Sequence, residues 1–280
     1  MINFRLDRFL TLYFFRHVTK RQTSTGDKRI PILMYHSISD EKETSHPYYH
    51  VNTSPAVFYA HMLYLHENNY SVITLQDLEK SFDTRDSSKY VVITFDDGFR
   101  DFFTNAFPIL RKYNFTATVF LPSAFISNHH KKLKEKEHLS WHEVRELSAA
   151  GISFGSHTEN HPQLSELSDT EVEHEIQHSK ENIEESLGSA IDTFSYPYKF
   201  PDENKRFKII LRDLLNKYGY KYGVSTRIGT TSKKDDAYFM KRLPINSADD
   251  MSFFQAKLDG GYNWLYYLQT LSKFIRSKVM

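Results

Sequence analysis

Two short runs of this sequence combine residue types that can do chemistry. The first is Val91-Val92-Ile93-Thr94-Phe95-Asp96-Asp97-Gly98, an apolar stretch that ends in two adjacent carboxylates and a glycine. Paired carboxylates allow a division of labour, one holding a metal ion and the other acting as a base. Neighbouring residues on a strand point to opposite sides, but where the chain turns both can face one cavity. The plain alternative is an Asp-Gly turn. The second run is His157-Thr158-Glu159-Asn160-His161-Pro162, directly after the strand-like segment Gly151 to Ser156. Two histidines four residues apart reach one ion if the loop turns helically. Two imidazoles and one carboxylate leave positions open for water or substrate, the layout of a catalytic metal site. His174 and His178 have the same spacing on a helical segment from Asp169 to Leu187. They fall opposite its apolar residues Val172, Ile176, Ile183 and Leu187 and read as solvent-facing.

The elements that must position these runs alternate in type. Candidate strands are Ile30–His36, Ser71–Thr74, Tyr90–Phe95, Thr116–Leu121, Ile152–Ser156, Thr193–Tyr196, Lys221–Ser225 and Phe239–Ile245, with helical segments in most gaps. Ser54-Pro55 is an N-cap followed by proline at the first helical position. Ser140 with Glu143, and Ser168 with Glu171, are capping boxes. Strand–helix alternation argues a parallel sheet, open or closed into a barrel. Functional loops then lie at the C-terminal ends of the strands.

The chain has 280 residues, 40% of them hydrophobic, enough to bury one sizeable core. It has no cysteine, which excludes disulfides, thiol catalysis and cysteine-ligated zinc. A net charge of +1 is not the balance of a nucleic-acid binder, and no nucleic-acid partner is expected. No run approaches the ~18–20 apolar residues of a membrane span.

Charge concentrates at the ends. Residues 1–29 hold seven Lys/Arg and two acids, a net of 7 − 2 = +5, and residues 264–280 add three cations and no acid. Ile2, Leu6, Phe9, Leu10 and Tyr13 share one helical face, as do Leu268, Leu271, Ile275 and Val279. Residues 1–29 therefore read as a basic apolar N-terminal extension, 30–255 as the main domain, and 262–280 as a basic amphipathic C-terminal helix. The N-terminus does not read as a signal peptide. A cytoplasmic protein is expected, in peripheral contact with an anionic inner membrane surface or with both end helices capping the barrel.

Together the two runs resemble the polysaccharide deacetylase family (NodB homology domain, carbohydrate esterase family 4). Thr94-Phe95-Asp96-Asp97-Gly98 matches its first motif, and His157-Thr158 with His161 its second. Leu139-Ser140-Trp141 through Gly151 looks like the stretch before the second motif, and Phe194-Ser195-Tyr196-Pro197-Tyr198 like the third. Pro31 to Ile38 resembles the poly-N-acetylglucosamine deacetylase branch in particular. The resemblance covers roughly Ile30 to Ile245. It implies an α/β fold, a distorted (β/α) barrel with about seven parallel strands. It also implies a metal-dependent deacetylase hydrolysing the N-acetyl amide of an N-acetylhexosamine in a polysaccharide or lipid-linked glycan.

Residue by residue, it implies that Asp97, His157 and His161 hold a divalent metal, in the first instance zinc. Asp96 would be the general base, and the backbone N–H of Tyr198 would stabilise the oxyanion. Trp141 would wall the groove, unless it is ordinary packing beside a capped helix. Two features depart from the family pattern. Ser195 stands where the third motif carries an arginine, and the late motif that supplies an acid histidine is missing. Arg242, assigned to the substrate-binding set with Trp141, either compensates for that arginine or is an exposed structural residue. No histidine follows His178, so the acid role passes to His36 at the end of the first strand, with His46 and His50 in reserve. The competing reading is a catalytically impaired carbohydrate-binding protein of the same fold. A non-haem iron oxygenase also uses two histidines and a carboxylate, but would not need the second aspartate.

Overall fold

The computed structural model describes residues 5–16, 18, 28–84, 87–129, 132–133 and 136–269. The expected helical face at Leu271, Ile275 and Val279 lies outside these residues, as do Ile2, Lys20 and Arg21.

Eight strands form the main sheet: β1 (Ile32–Tyr35), β2 (Tyr70–Ile73), β3 (Lys89–Phe95), β4 (Thr118–Leu121), β5 (Ser153–Ser156), β6 (Thr193–Ser195), β7 (Tyr222–Ile228) and β8 (Met240–Pro244). Seven are parallel neighbours in the order β1-β8-β7-β6-β5-β4-β3. The ring closes where β1 pairs with β3, Ile32 opposite Val92 and Tyr35 opposite Phe95. β2 lies along the first half of β3, with Tyr70 opposite Lys89. The fold is a closed (β/α) barrel of seven parallel strands.

The helices are α1 (Leu6–Leu10), α2 (Pro55–Glu67), α3 (Leu78–Asp83), α4 (Phe107–Lys112), α5 (Trp141–Ala149), α6 (Asp169–Leu187), α7 (Lys205–Lys217) and α8 (Met251–Leu258). Their starts are set by side chains that satisfy otherwise unpaired N–H groups. Ser140 and Ser168 form complete capping boxes with Glu143 and Glu171, and Ser54 caps α2. Such a cap is worth about 1 kcal/mol.

Alternation along the strands sorts side chains into two layers. Leu33, Tyr35, Ile93, Phe95, Val119 and Leu121 join the large core between ring and helices. Ile32, Val92, Phe120, Val224 and Met240 form a second cluster that plugs the ring. Fully burying one such side chain is worth about 1.5–3 kcal/mol. Two residues further along β3 and β8 the same inward face changes character, to Thr94, Asp96 and Arg242.

Residues 6–15 lie against the barrel. Arg5 reaches Asp249 at 3.5 Å, the Tyr262 hydroxyl donates to Asp7 at 2.7 Å, and Trp264 donates to Thr11 at 3.0 Å and stacks on Phe15. Leu6, Phe9, Tyr13 and Phe14 face away and are exposed. The side that covers the barrel is therefore not the apolar stripe. No helix among the described residues is long and apolar enough to cross a membrane.

Candidate active site

The site lies at the C-terminal ends of β1, β3, β5 and β6. Asp96 and Asp97 follow β3, and His157 follows β5. Asp97 adopts φ 70° and Gly98 φ 60°, a left-handed turn that re-aims the chain so that both carboxylates reach one cavity. A Cβ at Gly98 would fall 2.8 Å from the Leu121 side chain, so the turn needs glycine there. Among the described residues six non-glycines have positive φ. Asp97, Thr158, His161 and Tyr198 are four of them, and all belong to the motifs singled out in the sequence.

One Asp97 oxygen lies 3.4 Å from His157 Nε2 and 3.2 Å from His161 Nε2. Donors of a tetrahedral zinc site with bonds of ~2.0–2.1 Å stand about 3.3–3.4 Å apart, so the spacing fits one ion. His157 is buried, and its Nδ1–H donates to the Ser195 carbonyl at 2.8 Å. That bond fixes the tautomer and leaves Nε2 as the ligand atom. Electrostatics agree. Burial alone would raise the Asp97 carboxyl, but bonds from His157 and His161 hold it well below the usual carboxylate range. Burial would lower His157, yet Asp96 and Asp97 outweigh it and raise the imidazole. Two carboxylates facing a buried imidazole give the pocket the negative charge that a divalent cation neutralises.

The loop between the two histidines is braced from α6. Glu175 Oε2 accepts the N–H groups of Glu159 at 2.8 Å and Asn160 at 2.9 Å, while its Oε1 accepts the Asn160 side chain at 2.9 Å. Thr158 Oγ1 takes the His161 N–H at 3.0 Å. Glu175 stands outside the motifs legible in the sequence. Its signal is an acid on the apolar face of α6, next to Val172 and Ile176.

Asp96 is buried beside the triad and faces Arg242. Arg242 Nη1 donates to Asp96 Oδ1 at 2.7 Å and Nη2 to Oδ2 at 2.6 Å. Nε donates to the Ser225 carbonyl, Nη1 also to Thr94 Oγ1 and Nη2 also to Ser195 Oγ. All five N–H groups of the guanidinium thus have acceptors, the condition under which a buried pair is tolerated. Burial would raise the Asp96 carboxyl, but Arg242 and His157 prevail and hold it below its ordinary value. Arg242 is 1% exposed and lies beneath Asp96, 5.9 Å above the Phe120 ring. This corrects its assignment to substrate binding and excludes an exposed structural arginine: no glycan can touch it. Ser195, standing where the family motif has arginine, donates to Asp96 Oδ1 at 3.2 Å and accepts from Arg242.

His36 faces the same pocket, with Asp97, Asp96, Arg242 and His157 as its electrostatic surroundings. Burial lowers it below the ordinary imidazole value, while the two aspartates act in the opposite direction. The exposed Tyr198 ring packs edge-on against His161, 4.7 Å between centroids. Trp141 is half-buried at the first turn of α5, two residues beyond Leu139, whose N–H donates to the Gly98 carbonyl. The reserve candidates are engaged elsewhere: His46 caps a short turn through the Tyr48 N–H, and His50 bonds the Ser45 carbonyl.

A parallel ring that presents a carboxylate–imidazole–imidazole triad and a second, arginine-held carboxylate defines a class of hydrolytic barrels. Known proteins narrow the class. The family model for polysaccharide deacetylases matches residues 83–223. A Bacillus subtilis (strain 168) protein assigned as polysaccharide deacetylase YxkH is 31% identical over 234 residues, 82% of this chain and 76% of that protein. The poly-β-1,6-N-acetyl-D-glucosamine N-deacetylase of Staphylococcus aureus (strain N315) is 24% identical over 165 residues, 56% of this chain and 54% of its own length. The structure of Streptococcus pyogenes deacetylase PplD in complex with acetate superposes with a TM-score of 0.71 at 23% identity, covering 83% of this chain and 99% of that one. The chain belongs to the polysaccharide deacetylase family, and it is a hydrolase.

Proposed function

We propose that this protein removes the N-acetyl group from an N-acetylhexosamine, in a polysaccharide or a lipid-linked glycan, as a metal-dependent amide hydrolase. The observation that carries the reading is the three-donor cluster of Asp97, His157 and His161 beside a fully bonded Asp96–Arg242 pair. These residues would hold a divalent ion, zinc by donor type and spacing, which when bound supplies Lewis acidity for the acyl carbonyl and for water. Asp96 takes the proton of the attacking water. Its Oδ1 already accepts from Arg242 and Ser195, whereas Oδ2 accepts from Arg242 alone, so Oδ2 has the spare lone pair. Arg242 and Ser195 hold that carboxylate in place. The Tyr198 N–H donates to the developing oxyanion. His36 delivers a proton to the leaving nitrogen, because an amide anion leaves very poorly. Trp141 forms an apolar wall for the sugar.

The substrate class follows the staphylococcal relative, whose name specifies an N-acetylglucosamine polymer. The case for an impaired binding protein rests on Ser195 and on the absent late histidine. Against the first, Arg242 brings a guanidinium to Asp96 from another strand, and against the second, His36 stands beside Asp96 and Asp97. Metal analysis of the purified protein, combined with acetate release from N-acetylglucosamine oligomers, peptidoglycan fragments and lipid-linked N-acetylhexosamines, tests the reading. A protein with zinc bound at the Asp97–His157–His161 cluster and no acetate release from any of them overturns it. His36→Ala should retain the ion and lose roughly 10²-fold in turnover, the scale of a general acid. Wild-type turnover would remove His36 from the mechanism.

The exposed Leu6, Phe9, Tyr13 and Phe14, together with the basic N-terminal composition, support peripheral work at an anionic membrane surface. Flotation with anionic liposomes should fall on removal of residues 1–28. Equal flotation excludes this segment.

A further inference from the structure

The loop that supplies His157 and His161 to the triad turns Glu159 the other way, toward α6. There Glu159 Oε2 lies 3.3 Å from His174 Nδ1. The His174 and His178 rings, one turn apart, stack with centroids 3.8 Å apart and planes 15° from parallel. One donor atom from each of the three residues lies within 4.8 Å of the others. The 3.3 Å separation matches the edge of a tetrahedral zinc site, about 3.3–3.4 Å. His174 is exposed and His178 stands one turn further along the same face, so both side chains can change rotamer to meet one ion without moving the helix. The surroundings favour a cation: α6 carries seven acids and one lysine. Of the two that flank His174 in the sequence, Glu175 is already committed to the loop backbone, and Glu173 to Lys217 and Tyr218.

We propose that Glu159, His174 and His178 form a second divalent-cation site, separate from the triad, for a transition ion that accepts two imidazoles and a carboxylate. Zinc fits, and copper(II) should bind more tightly on the same donors. Two ligands come from a regular helix and one from the loop between His157 and His161. An ion there staples the loop to α6 outside the barrel, beside the brace that Glu175 provides within. Occupancy stiffens the loop without entering the catalytic pocket.

The test is a count of zinc bound by the metal-stripped full-length protein at equilibrium with a modest excess of free zinc. The wild-type should bind two equivalents. His174→Ala and His178→Ala should each bind one and retain deacetylase activity at one equivalent of zinc. Asp97→Asn should also bind one, and Asp97→Asn with His178→Ala none. The second equivalent should add a thermal-stability increment that His178→Ala lacks. With copper(II), Asp97→Asn should show an imidazole-nitrogen resonance signature that is lost in the double variant. A wild-type that saturates at one equivalent overturns the proposal. So does a second equivalent that survives His174→Ala and His178→Ala, or one that binds only at large excess. If Asp97→Asn still binds two, the triad assignment fails and this one is unaffected.

Discussion

The same six-residue loop feeds two clusters of two imidazoles and a carboxylate, and they are built differently. In the Asp97–His157–His161 cluster, His157 is 2% exposed and tied by its second nitrogen to the Ser195 carbonyl. Two of its donors, Asp97 and His161, and Thr158 between the histidines hold strained backbone angles. In the Glu159–His174–His178 cluster the histidine side chains stand on a regular helix, that of His174 54% exposed. Backbone strain of about 1–3 kcal/mol per residue persists only where the surroundings over-determine the geometry. The inner cluster has that support from Glu175, Thr158 and the β5–β6 pairing. In the outer one only Glu159 is held, by Glu175 at its backbone and Asn182 at its carboxylate, while no such brace orients the two imidazoles among the described residues. Fixed donors suit chemistry that depends on placement. Mobile donors suit an ion that comes and goes.

Four substitutions press on this contrast. The largest effect is expected from Asp97→Ala, which should reduce acetate release to background and lose one zinc equivalent while leaving the outer cluster able to bind. Retained turnover would show that the inner cluster is not the catalytic one. Next, Asp96→Asn should keep both metal equivalents and the fold but reduce turnover by ~10²–10⁴, the range for a general base. A rate near wild-type removes Asp96 from proton transfer. Arg242→Met should reduce turnover by roughly 10–100-fold, as for residues that orient a reacting group. It should also destabilise the protein by about 3–5 kcal/mol, because it leaves a buried carboxylate alone. Denaturant melts and the pH profile of turnover separate the two effects, and an unchanged pH profile would reduce Arg242 to a structural role. Smallest, Glu175→Gln should cost about 1–3 kcal/mol of stability and weaken zinc affinity at the inner cluster more than at the outer. Equal weakening at both would mean that the brace serves the whole loop.

Much of the fold was legible because it is local. Apolar runs bounded by caps and turns predict all eight strands of the main sheet, and the two capping boxes form as read. β7 runs on to Ile228, where the alternation gives no stop. The hairpin at Lys132–Leu133 and Lys136–Glu137 went unread because its Lys-rich sequence carries no strand pattern. Asp96, Asp97, His157 and His161 were visible because their motifs are contiguous. Arg242 was ambiguous because its partner Asp96 is 146 residues away and only the closed ring makes them neighbours. The helical wheel placed His174 and His178 outward, as observed, but says nothing of a loop arriving from another strand. At the N-terminus the apolar stripe is real, yet ion pairs and Trp264 dock the opposite side, which hydropathy alone does not weigh.

The ring closure has a consequence for how the molecule is made. β1 pairs on one side with β3 and on the other with β8, so the first strand waits for the last. Until residue 242 has emerged from the ribosome, the Asp96 carboxylate has no guanidinium and the ring is open beside β1. Contacts of this sequence separation form slowly and leave strand edges exposed meanwhile. The barrel is therefore completed late, and a nascent chain stopped before β8 presents a bare strand edge and an Asp96 carboxylate without its guanidinium partner to whatever chaperone or protease meets it first.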